Sequence, residues 1–264
     1  MSEQKTDMKI SGSSTMPGGE YGSVSISGAG KVQGDLRCER MSCSGASHVD
    51  GSVECSGKVS VSGATKILGS LTCGEALHCS GALRCGGDVD APEVRCSGST
   101  AIDGRLTGGK LSASGDLRAK AVHGAEFSAS GSCRIEEGVE ADQIRMSGLY
   151  NIGGLLNAET VELTAAAGCS IGDIGGSTIR IRRETPGLLR RLFSGAAAHS
   201  TKVHTIEGDD IALEYVTADV VRGRRVQIGE GCRIGRVEYA ETLEAADGTV
   251  SESVRTGSDE AADE

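Results

Sequence analysis

Short stretches in which apolar and polar residues alternate recur along this chain, separated by small residues and glycine. Between Ala46 and Gly63 the sequence reads A-S-H-V-D-G-S-V-E-C-S-G-K-V-S-V-S-G, and an apolar residue recurs at every second position in the second and third of its three runs. Alternation with a period of two is typical of a strand with one buried face. Only two or three residues remain for each corner, which is too few for a helix. The pattern therefore predicts three short strands in each such unit.

The pair Ser-Gly closes each unit and returns at intervals of 16 to 18 residues. Its glycines are Gly28, Gly45, Gly63, Gly81, Gly98, Gly115, Gly131 and Gly148. Self-similarity at a short fixed period indicates a repeat architecture. A chain that turns twice and returns one layer higher, about 4.8 Å away, satisfies this pattern. The sequence thus predicts an all-β, right-handed parallel β-helix of triangular section, with glycine at corners because it accepts a positive φ.

The composition fits a narrow core, because the chain has four Tyr, two Phe and no Trp. Ten cysteines follow the repeat and contain no C-x-x-C pair or zinc-type Cys/His cluster. The cysteines at corresponding inward positions form two sets: Cys38, Cys55 and Cys73, and then Cys43, Cys79 and Cys96. Free cysteine packs as a small apolar residue. We therefore expect a reduced ladder of buried thiols, with no bound metal and no cofactor.

The repeat divides the chain into five segments. Residues 1–7 are polar and predicted to be disordered, residues 8–181 carry the solenoid, and residues 205–240 resume it more weakly. Residues 182–204 carry no period-two signal and form an interruption. Residues 241–264 are acidic and rich in small residues, which predicts a disordered tail that aids solubility or limits stacking at that end.

The interruption contains a basic and apolar run in which Pro186 can begin a short helix. Such a helix would place leucine and phenylalanine on one face and arginine on the other. It either lies over the side of the solenoid or contacts a lipid surface or a partner. The candidate contact residues are Leu188, Leu189, Arg190, Arg191, Leu192 and Phe193.

The net charge and the lack of recognisable catalytic motifs reduce the number of possible functional classes. The net charge is −10 and the pI is about 5.1, which argues against nucleic acid as a partner. No apolar run approaches the length of a membrane span, and no secretory signal is evident, so we expect a cytoplasmic protein. The five histidines have no recognisable nucleophile or carboxylate set around them, and we predict no catalytic residues and no enzyme activity. Two classes remain: a structural polymer, and a trimeric β-helix enzyme such as a hexapeptide-repeat acyltransferase.

The repeated V-x-C-S-G, I-x-G and L-x-C runs of residues 8–181 resemble the bactofilins, the polymer-forming cytoskeletal proteins of bacteria. Residues 205–234 resemble the distal part of larger, Bacillus-type members. The resemblance implies a right-handed β-helix that assembles with itself through its terminal coils, without nucleotide, into non-polar filaments that act as scaffolds at the membrane or for wall enzymes. By position, the contact residues it implies are Ile10, Val24, Ile26, Val226, Ile228 and Ile234.

Overall fold

The structure of this protein is a computed structural model that describes residues 5–166, 168–183 and 200–256. All regular elements in these ranges are β-strands. The strands are β1 (Met8–Ile10), β2 (Ser13–Ile26), β3 (Ala29–Cys43), β4 (Ala46–Val49), β5 (Val53–Cys55), β6 (Lys58–Val61), β7 (Ala64–Ile67), β8 (Leu71–Cys73), β9 (Ala76–Cys79), β10 (Ala82–Cys85), β11 (Val89–Asp90), β12 (Glu93–Cys96), β13 (Ser99–Ile102), β14 (Arg105–Ala113), β15 (Asp116–Asn157), β16 (Thr160–Ala165), β17 (Ser170–Arg183), β18 (Thr201–Leu213), β19 (Val216–Ile228), β20 (Arg233–Ala245) and β21 (Val250–Arg255).

The chain divides into two compact units, Met1–Glu136 and Glu137–Glu264. In the N-terminal unit the short strands from β4 to β11 each pair in parallel with the strand three places further along, as in β4 with β7, β5 with β8 and β6 with β9. One coil therefore contains three strands on three faces. We call them the first strand, which follows a Ser-Gly corner, the second strand, and the third strand, which leads to the next corner. The predicted parallel β-helix with a three-sided coil is confirmed.

Alternation along each strand produces columns of stacked side chains that run from coil to coil. On the third strand one inward column passes through Val24, Met41, Val59 and Leu77, each at most 2% exposed. The outward positions between them are serine or histidine, which stay in contact with solvent. Burial of one apolar residue at every second position supplies the main driving force for stacking, because each column removes continuous apolar surface from water.

Six of the eight Ser-Gly glycines are required because neighbouring coils approach closely at the corner, and not because their φ is positive. Only Gly131 and Gly148 among the eight Ser-Gly glycines have a positive φ, so the conformational explanation predicted from sequence is wrong for the other six. At Gly63 an added Cβ would meet the carbonyl oxygens of Gly45 and Ser44 in the preceding coil, the second at 2.5 Å. The backbone ladder continues through these corners, which leaves no space for a side chain.

The C-terminal unit uses the same parallel pairing with longer strands that bend through the corners. Its third-strand column contains Ile179, Ile211, Val226 and Leu243 in register. β17 pairs directly with β18, and Ile181 lies opposite Leu213. The predicted interruption therefore falls between two neighbouring coils without shifting their register. It is also shorter than the predicted 182–204, since β17 extends to Arg183 and β18 begins at Thr201.

Two predicted tails are partly ordered. At the N-terminus the Thr6 carbonyl accepts a hydrogen bond from the Gly22 amide at 2.9 Å, and the Asp7 carboxylate accepts one from the Ser23 amide at 2.7 Å. This bond from Ser23 lowers the pKa of Asp7. At the C-terminus β20 and β21 extend the solenoid to Arg255, although residues 241–264 were predicted to be disordered. The acidic outward positions of these strands concealed their inward apolar residues.

Candidate functional site at the terminal strand edges

The N-terminal unit ends in an open strand edge on all three of its faces. β1 is a third strand and pairs with residues 24–26 of β2, while no other described strand pairs with it. Among the described strands, the first and second strands of the opening coil, Ser13–Pro17 and Gly19–Tyr21, pair with β3 alone. Backbone N–H and C=O groups on the outer side of these strands are available for a further strand. We call this surface the N-terminal edge.

Apolar side chains reach the N-terminal edge, and the outward positions beside them are polar. Met8 and Ile10 are inward and only 2% and 3% exposed, while Lys9 between them is exposed. Met16 and Tyr21 are half-buried, and the Tyr21 hydroxyl donates to the Pro17 carbonyl at 3.0 Å. Pro17 lacks an N–H, and the register shifts between Pro17 and Gly19. Proline and a bulge weaken pairing on the first strand, so the third strand is the more favourable template.

The C-terminal unit ends in a corresponding surface, which we call the C-terminal edge. Residues 242–245 of β20 form its third strand and pair with β19, and β21 supplies its first and second strands and pairs with β20. Leu243 and Val250 occupy inward columns and are half-buried. The second-strand column that contains Val221 and Val237 ends at Ser253, a polar residue in an inward position. This edge is less apolar than the N-terminal edge.

Charge also differs between the two edges. Glu241, Glu244 and Glu252 are exposed on the C-terminal edge. Glu241 lies 3.4 Å from Arg225, and Glu244 accepts a hydrogen bond from Gln227 at 3.2 Å. These exposed contacts stabilise the fold only slightly, and they leave the edge with an acidic character.

The structure places the six predicted contact residues in the core, mostly one coil inside the edges. Ile10 belongs to the outermost strand, but Val24 and Ile26 are covered by β1 on one side and β3 on the other. Val226, Ile228 and Ile234 are likewise covered by the strands that follow them, and all six are at most 3% exposed. The outermost residues of the two edges, among them Lys9, Leu243 and Glu244, are not among the six, whose role in assembly stays a prediction. The alternation of Leu243, Ala245 and Val250 was the signal that could have found the last coil.

The candidate lipid or partner contact at residues 188–193 lies outside the described residues. Among the described residues no helix is long and apolar enough to cross a membrane. In the same part of the chain no group of three or more His, Cys, Asp or Glu side chains is arranged to hold a metal ion.

All ten cysteines are free and buried, as predicted for a thiol ladder. Cys38, Cys55 and Cys73 lie in register on successive second strands. Cys43, Cys79 and Cys96 share a third-strand column, with Val61 between the first two. Burial raises the pKa of Cys73 to about 12 and that of Cys96 to about 11. The pKa of Cys38 is raised because its thiol hydrogen-bonds Cys55 and because it is buried. The same hydrogen bond lowers the pKa of Cys55 to about 7. Cys38, Cys73 and Cys96 therefore remain protonated and weakly nucleophilic near neutral pH.

An open groove of about 600 Å³ follows the second strands of the C-terminal unit. Its lining includes Leu155, Asp173, Gly175 and His204. Nδ1 of His204 lies 2.7 Å from the Asp219 carboxylate, and both side chains are about two-thirds exposed or more. A pair this exposed contributes at most about 1 kcal/mol. The groove is a shallow, solvated depression with one acid–base pair at its rim.

Comparisons with known proteins give one partial likeness. No protein-family model matches the chain, and no solved structure matches it. The chain is similar to a protein named "Uncharacterized protein YhbF" from Bacillus subtilis (strain 168), with 39% identity over 87 residues. The match covers 33% of this chain and 34% of that protein, so the chain spans about a third of the length of this relative. The fold defines the chain as a β-solenoid protein.

Proposed function

We propose that this protein is a bactofilin-like scaffold that assembles with itself end to end, without nucleotide, through its terminal strand edges. The observation that carries the proposal is that each unit ends in strands that pair on one side only with the rest of the described chain, at Met8–Ile10 in one unit and at Val250–Arg255 in the other. Unpaired edges of a sheet are templates for another chain. The partner with the best-matched strand lengths and columns is a second copy of this protein.

The physical basis of assembly is the same as that of coil stacking inside each unit. A second copy that docks on an edge satisfies backbone hydrogen-bonding groups and covers the half-buried side chains of Met16, Tyr21 and Leu243. Neither contribution requires phosphate chemistry, so the assembly needs no nucleotide. Solenoids that remain monomeric usually carry polar capping segments at their ends, and the described residues include no helix over either edge.

The proposed location is the cytoplasm, and the proposed partners are further copies of the same chain and a membrane surface or membrane-associated protein. The net charge of −10 makes nucleic acid a poor partner, because the phosphate backbone would be repelled. The proposed membrane contact is the basic and apolar run at residues 188–193, which is supported by its sequence alone.

The proposal is tested with the full chain, purified and kept free of nucleotide. Sedimentation velocity and negative-stain electron microscopy are expected to show long oligomers or filaments whose length increases with protein concentration. A monomer at every concentration would contradict the proposal. A discrete trimer would contradict it as well and would favour the alternative class, a β-helix enzyme of the acyltransferase type.

A further inference from the structure

We propose that assembly is head to tail, with the N-terminal edge of one copy docked on the C-terminal edge of the next. This inference rests on the proposed end-to-end assembly and specifies its direction. It differs from the non-polar filament that the family resemblance implies. Three features of the two edges support it: the position of their strands within a coil, the side chains that would meet, and the charge of the C-terminal edge.

The first feature is the order of strands within a coil. The last described strand, β21, occupies the first and second positions of its coil, because it pairs with residues 234–239 of β20. The position that follows is a third strand, and β1 is a third strand by its pairing with residues 24–26. β1 of one copy can therefore occupy the third-strand position that follows β21 of another copy. The strands stay parallel, as in every pairing within the units.

The second feature is that the inward columns of one edge continue into the inward columns of the other, and the outward columns into the outward columns. Within the units, the third-strand inward columns run through Val24 and Ile26 near one edge and through Val226 and Ile228 near the other. A head-to-tail contact in this register stacks Met8 on Leu243 and Ile10 on Ala245. It also places the outward Lys9 beside the outward Glu244. Each of these three pairs joins side chains of matching character.

The register also matches on the second strand. Tyr21 and Arg255 occupy the second inward position of this strand at their respective edges, since Tyr21 pairs with Cys38 and Arg255 with Tyr239. Stacked copies would bring the Arg255 guanidinium against the Tyr21 ring, a favourable cation–π contact. An arginine in an inward column would be unfavourable inside a solenoid. At a junction between copies it is compatible with the fold, because the guanidinium can contact Tyr21.

The third feature is that a tail-to-tail contact brings like charges together. In a contact with two-fold symmetry, both partners use the same surface. Two C-terminal edges would confront Glu241, Glu244 and Glu252 with copies of themselves, and like charges on neighbouring strands are destabilising. A filament built from alternating head-to-head and tail-to-tail contacts needs this junction at every second step.

The direction is tested by cross-linking introduced cysteines in the full chain. All ten native cysteines are buried, so a short bismaleimide reacts first with introduced exposed thiols. The variants are Lys9→Cys, Glu244→Cys and the two combined, with Ser42→Cys as the matched control. Ser42 is exposed in the same outward column as Lys9 but lies inside the stack, because Lys9 pairs with Ser25 and Ser25 with Ser42.

Head-to-tail assembly predicts a ladder of dimers, trimers and longer products on a denaturing gel for the combined variant. Each single variant and the control remain monomeric on the gel, and a mixture of the two single variants yields dimers alone. Dimers from Lys9→Cys or Glu244→Cys alone, at a yield similar to that of the combined variant, would show a non-polar contact and overturn the proposal. Monomers from the combined variant under conditions in which it assembles would also overturn it.

Light scattering of the same samples before cross-linking distinguishes failure of assembly itself from failure of the proposed direction. If wild-type protein forms no assemblies, the proposed function and its direction both fail. If assemblies form and a single variant cross-links to itself, only the direction fails. Charge reversal provides a second measurement: Lys9→Glu and Glu244→Lys alone are each expected to raise the critical concentration about three- to tenfold, and together to restore it. Single reversals without effect, or a combined variant that stays defective, would contradict head-to-tail docking.

Discussion

Gly63→Ala tests whether the corner glycines are required by the distance between coils. A Cβ at this position would lie 2.5 Å from the Ser44 oxygen and 2.7 Å from the Ser44 carbonyl carbon, and nearer still to the Gly45 oxygen. These are backbone atoms, so no side-chain rotation relieves the contact. The neighbouring coils must separate locally by roughly 1 Å, which weakens the bonds from the Gly63 and Ala64 amides to the preceding coil, now 3.2 and 3.0 Å long.

The expected loss of stability combines overpacking with weakened hydrogen bonds. Overpacking in a dense interior costs about 1–3 kcal/mol, and each backbone hydrogen bond contributes about 1 kcal/mol. A Gly→Ala change also lowers the entropy of the unfolded chain, which offsets this loss of stability by about 0.4–1 kcal/mol. We therefore expect Gly63→Ala to lower the free energy of unfolding by about 2–4 kcal/mol. Urea unfolding followed by far-UV circular dichroism measures this change.

Gly12→Ala is the matched control, since Gly12 is also a Ser-Gly corner residue. An added Cβ at Gly12 has nothing within 4 Å, because this corner belongs to the outermost coil. Measured at a concentration too low for assembly, Gly12→Ala should change stability by less than about 1 kcal/mol, in either direction. Equal effects of the two substitutions would refute the reasoning, because the close approach of coils would then not be the reason for glycine.

Three other predictions concern the core and the interruption. Burial raises the pKa of Cys73 and Cys133 to about 12 from an ordinary value of 9.0, so above pH 9 the unfolded thiols ionise while the native thiols do not. The free energy of unfolding should therefore fall as the pH rises from 9 to 12. Cys73→Val should reduce the slope of this free energy against pH by up to about 1.4 kcal/mol per pH unit. Equal slopes for variant and wild type in urea titrations would contradict this prediction. Ile26→Arg buries a charge at a residue 1% exposed, so we expect a lower melting temperature or insoluble protein, and a stable variant that lost only assembly would disagree. Changing Leu192 and Phe193 together to Ser should reduce co-sedimentation with anionic liposomes, whereas equal pelleting would remove the proposed lipid contact.

The sequence by itself determined the class of fold. Inward residues recur at every second position, so the buried columns are visible as a pattern, and the spacing of Ser-Gly pairs measures one coil directly. The same pattern placed Cys38, Cys55 and Cys73 in one column, which the register confirms. Local alternation suffices here because each coil contacts only its neighbours, and the contacts repeat.

Only the tertiary structure decided where the solenoid stops and what its edges carry. Glutamates around Leu243 and Val250 made residues 241–255 resemble a tail, yet these residues pair with the coil before them. The six contact residues predicted from sequence are buried and lie mostly one coil inside the edges, and their role in assembly stays a prediction. The role of Gly63 also depends on an atom 18 residues earlier in the chain, the Gly45 oxygen. Pairing across a coil joins residues that are distant in sequence, and the weak alternation of Leu243, Ala245 and Val250 does not by itself establish that these residues pair with the coil before them.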